Sequence, residues 1–153
     1  MITNNKIAIV TGASTGLGKS ISFELALKGY EVILASRNKE KLKIVQKAIS
    51  ANGGNSKIIV TDVSNENDVK NLYSKVDIER VDTVVNNAGF GVFNKIHKMN
   101  SEEWDSQINT NLRGAFLMTH YISKSMIDRK EGKLVFINSV AGLKAYPYSS
   151  AYV

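Results

Sequence analysis

The sequence predicts an α/β fold in which helices cover both faces of a doubly wound parallel sheet. Apolar runs and amphipathic segments alternate strictly along the chain, as strand–helix–strand units require. The apolar runs are short and lack polar alternation, which is typical of strands buried on both faces. A glycine-rich turn joins the first run to the first amphipathic segment. Parallel strands with right-handed crossovers follow from this alternation.

The first half of the chain supplies three strands and three helices. Strands are predicted over residues 6–11, 31–36 and 57–61. Helices are predicted over residues 17–28, with Gly29 as the stop, over 38–52, and from Ser64 or Asn65 to about residue 75. Their apolar faces are expected to carry Ile21, Leu25 and Lys28, then Leu42, Val45 and Ile49, then Val69, Leu72, Tyr73 and Val76.

The second half continues the alternation with a longer helix. A fourth strand is predicted over residues 81–86, an irregular stretch over 87–99, and a fifth strand over 133–138. Asn100 and Glu103 form a capping-box pattern that begins a helix over residues 100–128. The buried side of this helix is expected to carry Trp104, Ile108, Leu112, Ala115 and Phe116.

Composition favours a single domain over residues 1–153 and excludes several kinds of site. The chain is long enough to bury a core, and no repeat or linker divides it. Cysteine is absent, so disulfides, zinc thiolate sites and a cysteine nucleophile are excluded. The sequence has no apolar run of transmembrane length and no signal-peptide pattern over residues 1–6. We therefore expect a cytoplasmic protein with no membrane partner.

The formal net charge of +6 does not indicate a nucleic-acid partner. Lysines are interspersed with acidic residues, and no basic cluster with interleaved aromatic residues occurs. His97 and His120 have no second ligand at metal-binding spacing, so we expect no metal site.

The glycine-rich turn, Thr11-Gly12-Ala13-Ser14-Thr15-Gly16-Leu17-Gly18, is predicted to bind an anion. A strand, a tight turn and a helix N-terminus together present unpaired backbone N–H groups and the positive end of the helix dipole. The glycine spacing is four then two, unlike the common dinucleotide fingerprint and the P-loop. On this motif alone, the glycines could instead serve only the tight turn.

Arg37 favours NADP(H) over NAD(H) as the anion. Ser36-Arg37 ends the second predicted strand, where the adenosine ribose of a dinucleotide would lie. An acidic residue there would bind the ribose diol of NAD, whereas a hydroxyl and a guanidinium suit a 2′-phosphate. Taken alone, Arg37 also fits a surface residue that opens a helix.

Several motifs in order make the sequence resemble the short-chain dehydrogenase/reductase family. They are Thr11-Gly12-x-x-x-Gly16-x-Gly18, Asp62-Val63, Asn86-Asn87-Ala88-Gly89, Asn111-Leu112-x-Gly114, Ile137-Asn138-Ser139-x-Ala141-Gly142, and Tyr152, which lies 13 residues after Ser139. The matches run from Lys6 to the end of the chain.

The resemblance implies a Rossmann-like sheet of order 3-2-1-4-5 and an NADP-dependent oxidoreductase that acts on a small carbonyl or alcohol. It implies cofactor contacts from Gly12, Ser14, Thr15, Gly16, Leu17, Gly18, Arg37, Asp62, Val63, Asn87, Ala88 and Gly89. It implies catalytic roles for Ser139, Tyr152 and Asn111. Asp62 could instead cap the loop that follows it.

The chemistry of the implied catalytic pair is coherent. A carbonyl that accepts hydride develops negative charge on oxygen, so it needs a hydrogen-bond donor and a proton donor. Ser139 would supply the hydrogen bond and Tyr152 the proton. A phenol has an ordinary pKa of about 10, so the pKa of the tyrosine must be lowered for it to act near neutral pH. The resemblance places the tuning lysine at position 156.

The chain stops at Val153, so the resemblance implies that the lysine, its helix and the last two strands of the family fold are missing. We expect poor activity of the chain as given. A dinucleotide-binding module without catalysis and a degenerate interaction remnant are the alternatives. The fifth strand would become an exposed apolar edge, and we expect a homo-oligomer or self-association through it and through helix 100–128. The substrate stays open.

Overall fold

The structure, a computed structural model, describes residues 6–152; residues 1–5, over which no signal peptide was expected, and Val153 lie outside the described part. Its five strands form one parallel sheet of order β3-β2-β1-β4-β5, as predicted. The strands are β1 (Ile7–Thr11), β2 (Glu31–Ser36), β3 (Asn55–Val60), β4 (Val81–Asn86) and β5 (Lys133–Phe136).

Within residues 6–152, five α-helices connect and cover the strands. They are α1 (Gly16–Leu27), α2 (Lys39–Ala51), α3 (Glu66–Ser74), α4 (Ser101–Gln107) and α5 (Gly114–Arg129). Short 3₁₀ turns occur at Ile78–Arg80, Ile96–Lys98 and Val140–Gly142. The predicted starts are confirmed by caps: the side chains of Asn38 and Asn65 accept backbone N–H bonds, and Asn100 and Glu103 form the expected capping box. Gly29 follows α1 with φ of +85°, which suits a helix stop.

The core has two layers, one on each face of the sheet. On one face, α3 and α5 pack through Val69, Leu72, Met118 and Ile122. On the other, α1 and α2 pack on Val32 and Leu34 of β2. The predicted faces of α2 and α3 are confirmed, since Leu42, Val45, Ile49, Val69, Leu72 and Tyr73 are buried. The buried residues of α1 are Gly18, Ser22 and Ala26. Ile21 and Leu25 lie beside them and are half-buried, whereas Lys28 is exposed.

The predicted helix over residues 100–128 is wrong in its buried face. A π-helical segment, Ile108–Arg113, separates α4 from α5. Its wider turn rotates the residues that follow about the helix axis. Trp104, Leu112 and Phe116 are 40%, 66% and 59% exposed. The side chains that face the core belong to Gln107, Leu117, Met118, Ile122 and Met126. Both sides of this helix carry apolar residues, so the spacing alone did not distinguish them.

Strand β5 is the exposed edge that the sequence predicted. Leu134, Val135, Phe136 and Ile137 are between 36% and 50% exposed. Ile137 continues the strand by one bond, its N–H donating to the Asn86 carbonyl at 2.9 Å. Self-association through this strand and α5 stays a prediction. We expect the 153-residue chain to sediment as a concentration-dependent mixture; a single monomeric species at every concentration would contradict this.

A buried carboxylate joins the amino ends of the strands, at the edge opposite the carboxyl ends. Asp82 is 2% exposed and accepts hydrogen bonds from Lys6 (2.8 Å), Lys133 (3.0 Å), Tyr30 (2.9 Å) and Thr83 (2.7 Å). Burial by itself would raise the pKa of Asp82, but these hydrogen bonds outweigh it and hold the pKa far below its usual range.

No helix within residues 6–152 combines the length and the apolar character that crossing a bilayer requires.

Candidate active site and cofactor cleft

The glycine-rich turn forms a close junction between β1 and α1. Gly12 has φ of +64°, and an added Cβ there would lie 2.7 Å from the Asn87 Nδ2 atom. A Cβ on Gly18 would collide with the Gly12 carbonyl oxygen and with Asn87. Gly16 has φ of +53° and open space around its Cβ position. The junction therefore requires glycine for backbone conformation at two positions and for close approach at Gly18.

The N-terminus of α1 suits an anion. Thr15 precedes the helix without a side-chain cap bond, and the first turn contains no acidic residue. The first backbone N–H groups of a helix have no intrahelical partner, and the helix dipole makes this end positive. These features, with the narrow glycine junction, fit the pyrophosphate of a dinucleotide.

Thr11 and Asn87 fasten β1 to β4 beside the turn. The Thr11 hydroxyl donates to the Val85 carbonyl at 3.2 Å and accepts from the backbone N–H groups of Asn87 (2.9 Å) and Ala88 (3.0 Å). The Asn87 amide donates to the Thr11 carbonyl at 2.9 Å. Gly89 follows, where a Cβ would lie 3.2 Å from Asn111 Oδ1. Asn87 is thus bonded to β1 through both its backbone N–H and its side-chain amide, and Ala88 through its backbone N–H.

The end of β2 carries the polar groups expected around an adenosine ribose. The Ser14 and Ser36 hydroxyls lie 3.0 Å apart. Arg37 is exposed, and its Nη1 atom lies 4.0 Å from Asp62 Oδ2. The other Asp62 oxygen accepts from the backbone N–H (3.0 Å) and hydroxyl (2.6 Å) of Ser64. Asp62 therefore caps the loop that follows it and also faces Arg37.

Val63 lies beside Asp62 and is buried. A Cβ on Gly114 would lie 2.7 Å from Val63 Cγ2, so the first residue of α5 packs directly on the loop that follows β3. This close contact sets the distance between α5 and the cleft.

Ser139 and Tyr152 lie at the other end of the same cleft. Ser139 is half-buried, and its hydroxyl accepts from the Ala141 N–H at 3.1 Å. The Tyr152 ring packs edge-on against Phe93, with ring centroids 5.7 Å apart. The Tyr152 N–H donates to the Ser149 carbonyl at 2.8 Å. Both residues line the cleft, and no hydrogen bond joins their hydroxyls among the described contacts.

Both polar atoms of the Asn111 side chain form hydrogen bonds to a loop, so the amide is not free to face the cleft. It lies in the π-helical segment, where its Oδ1 accepts from the Phe90 N–H at 3.0 Å. Its Nδ2 donates to the Phe90 carbonyl at 2.8 Å. This side chain holds the segment that follows the Asn-Ala-Gly turn.

One continuous cleft of about 1280 Å³ runs along the carboxyl ends of the strands. It extends from Gly12 and Arg37 to Ser139 and Tyr152. Every predicted site residue lines it except Gly16 and Gly18. A cleft outside the carboxyl ends of parallel strands is where ligands of open α/β sheets bind. Across residues 6–152, no group of three metal-ligating side chains occurs.

Two residues near the cleft were missed as site residues. Thr11 is the last residue of β1, so a polar residue at the end of an apolar strand was the available signal. Gln107 is fully buried at the end of α4, and nothing in the sequence distinguished it from a surface glutamine.

Comparison with known proteins gives consistent matches. The short chain dehydrogenase family model matches residues 6–153. An uncharacterised oxidoreductase of Listeria monocytogenes is 37% identical over 99% of this chain, and a 3-oxoacyl-[acyl-carrier-protein] reductase of Staphylococcus epidermidis is 36% identical over 97%. The chain spans 62% of the length of each of these two relatives.

Solved structures of similar fold include two nucleotide complexes. A metagenomic short-chain oxidoreductase with NADP superposes with a TM-score of 0.93 at 34% identity, over 98% of this chain and 69% of that one. Actinorhodin polyketide ketoreductase with NADPH gives 0.93 at 29% identity, over 99% of this chain and 60% of that one.

Proposed function

Because this chain belongs to the short-chain dehydrogenase/reductase family, we propose that it binds NADP(H) and takes part in interconverting a small carbonyl compound and an alcohol. The observation that carries the proposal is the single cleft that contains an anion-binding turn and Arg37 at one end and Ser139 and Tyr152 at the other. The family's oxidoreductase chemistry requires both ends.

The preference for NADP(H) rests on Arg37. Its guanidinium is exposed and is held near the cleft by a long, weak contact with Asp62, so it is available to a phosphate. No acidic side chain occupies the last position of β2, where Ser36 stands. The NADP and NADPH complexes of similar fold support this choice.

Ser139 and Tyr152 are the proposed reacting groups of this chain. NADPH held by the glycine turn and Arg37 would supply the hydride that the carbonyl carbon accepts. The Ser139 hydroxyl donates a hydrogen bond to the carbonyl oxygen, where negative charge develops. The Tyr152 hydroxyl gives its proton to that oxygen, which yields the alcohol and leaves a phenolate to be reprotonated. In the reverse direction the phenolate accepts the alcohol proton.

Fluorescence titration with NADPH tests the cofactor assignment. We expect the full chain to bind NADPH, and we expect Arg37→Ala to weaken NADPH about tenfold and NADH less than threefold. The estimate is modest because the lost contact is to an exposed group. Lys41→Ala, which removes an exposed cation of α2, is the matched control and should change the affinity for neither nucleotide. Equal weakening of both nucleotides by Arg37→Ala would remove the case for NADP(H).

NADPH consumption with a panel of ketones and aldehydes separates turnover from binding alone. Consumption that is lost in Ser139→Ala supports the oxidoreductase proposal. Binding without consumption supports the module hypothesis, and absence of NADPH binding supports the interaction-remnant hypothesis.

A further inference from the structure

We propose that Gln107 is a positioning residue that holds the Tyr152 ring in place through the loop of residues 90–94. This inference rests on the proposed function in one respect, namely that Tyr152 is the proton donor. The contacts themselves stand without it.

The Gln107 carboxamide is fully buried, and both its oxygen and its nitrogen form a hydrogen bond. Gln107 is 0% exposed at the end of α4. Its Oε1 accepts from the Val92 N–H at 2.8 Å, and its Nε2 donates to the Glu103 carbonyl at 3.0 Å. Exchanging the two amide atoms would place N–H against N–H and oxygen against oxygen, so these partners fix the orientation of the side chain. A buried amide satisfied at both atoms rigidifies what it holds.

The loop that Gln107 holds lies directly against the tyrosine segment. Phe93, the next residue after Val92, packs on the Tyr152 ring at 5.7 Å with an interplanar angle of 61°. A Cβ on Gly91 would lie 2.9 Å from the Phe93 ring and 3.2 Å from Tyr152 Cδ2, so the three groups are already in close contact. The loop therefore forms one wall against which the tyrosine ring rests.

A backbone bond joins the same two segments. The Asn94 N–H donates to the Tyr148 carbonyl at 2.9 Å. Tyr148 has φ of +68°, a left-handed conformation that non-glycine residues rarely adopt. Such a conformation persists when the surrounding contacts determine it. The loop is thus one of the structures that hold residues 148–152 in shape.

Asn111 cannot replace Gln107 in this role. Asn111 binds both backbone groups of Phe90, which anchors the start of the loop two residues earlier. Gln107 lies one helical turn before Asn111 and anchors Val92, beside the residue that touches Tyr152. Without the Gln107 bond, the Val92 N–H would lose its acceptor, and residues 91–93 would lose their hydrogen bond to α4.

Nuclear magnetic resonance of the full chain tests the proposal without nucleotide. In Gln107→Met, which keeps the side-chain volume and removes the bonds, we expect at least tenfold faster amide exchange at Val92 and Asn94. We also expect the Tyr152 ring-proton shifts, which the Phe93 ring perturbs, to move toward their unstructured values. The amides of Phe90 and Ile9 should exchange at the unsubstituted rate.

Gln107→Glu at pH 5 is the conservative variant. A buried carboxylic acid stays protonated, so it can accept from the Val92 N–H and donate to the Glu103 backbone carbonyl. We therefore expect the amide protection at Val92 and the Tyr152 shifts to return. Three results would overturn the proposal: unchanged Tyr152 shifts when Val92 loses protection, equal acceleration at Ile9, or no recovery in Gln107→Glu. If the proposed function is wrong, the unsubstituted chain will not bind NADPH, and this result is distinct from the three above.

Discussion

Gly18→Ala is expected to weaken NADPH binding roughly 5- to 150-fold, from the overpacking cost of about 1–3 kcal/mol. The new Cβ would meet the Gly12 carbonyl oxygen and the Asn87 amide. Neither neighbour moves easily, because Gly12 is part of the tight turn and the Asn87 amide is bonded to the Thr11 carbonyl. The turn must open, and its N–H groups then no longer converge on the phosphates. NADPH fluorescence titration measures the loss.

Two further α1 variants separate the sources of this effect. Gly16→Ala meets no atom but keeps φ of +53°, so we expect a smaller loss from backbone strain of about 1–2 kcal/mol. Ser20→Ala, on an exposed site of the same helix, should leave affinity within twofold. If Gly18→Ala bound NADPH as tightly as Ser20→Ala, the close approach would not be required for binding.

Asp82→Asn is expected to lower the free energy of unfolding by about 2–3 kcal/mol. Breaking a buried ion pair costs about 3–5 kcal/mol when the remaining charge stays buried. Here Lys6 and Lys133 are 40% and 61% exposed and can turn to water, so the loss is smaller. Glu131→Gln removes the other carboxylate bonded to Lys6, at an exposed position, and should cost less than about 1 kcal/mol. Urea unfolding compares the two; equal losses would contradict the role of burial.

The same carboxylate gives the stability a defined dependence on pH. The pKa of Asp82 is held far below its usual range in the folded state. Its contribution is therefore present above the unfolded pKa of about 4 and is lost as the pH falls below that value toward the folded pKa. We expect the unfolding free energy of the unsubstituted chain to fall more steeply below pH 4 than that of Asp82→Asn. Parallel pH profiles would exclude this assignment.

The order of elements along the chain and the parallel direction of the strands could be predicted because they follow from local pattern, whereas the strand order within the sheet was inferred from the family resemblance. Each buried strand is a continuous apolar run, and strict alternation of strands with helices leaves one usual handedness of connection. The caps at Asn38, Asn65 and Asn100 were readable for the same reason, since capping depends on a few adjacent residues. The buried face of the long helix was not readable, because the π-helical segment is stabilised by contacts outside the helix.

Much of the candidate cleft was also local in origin. The glycine turn, Arg37, the Asn87 turn and Ser139 each follow a strand, and parallel strands bring their carboxyl ends to one edge. What each side chain contacts there could not be predicted, because the partners come from distant segments. Asp62 caps Ser64 as well as facing Arg37, and Asn111 binds the Phe90 backbone.

By itself, the sequence determined the parallel sheet and the glycine junction, because period, spacing and turn chemistry act within a few residues. The strand order was inferred from the resemblance to the family. Only the tertiary structure decided which face of the helix after Asn100 is buried, that Asp82 joins Lys6, Tyr30 and Lys133 from separate segments, and that Gln107 holds the loop beside Tyr152. These features depend on side chains that meet across the fold. Their partners lie 15 to 76 residues apart along the chain, beyond the reach of a local pattern.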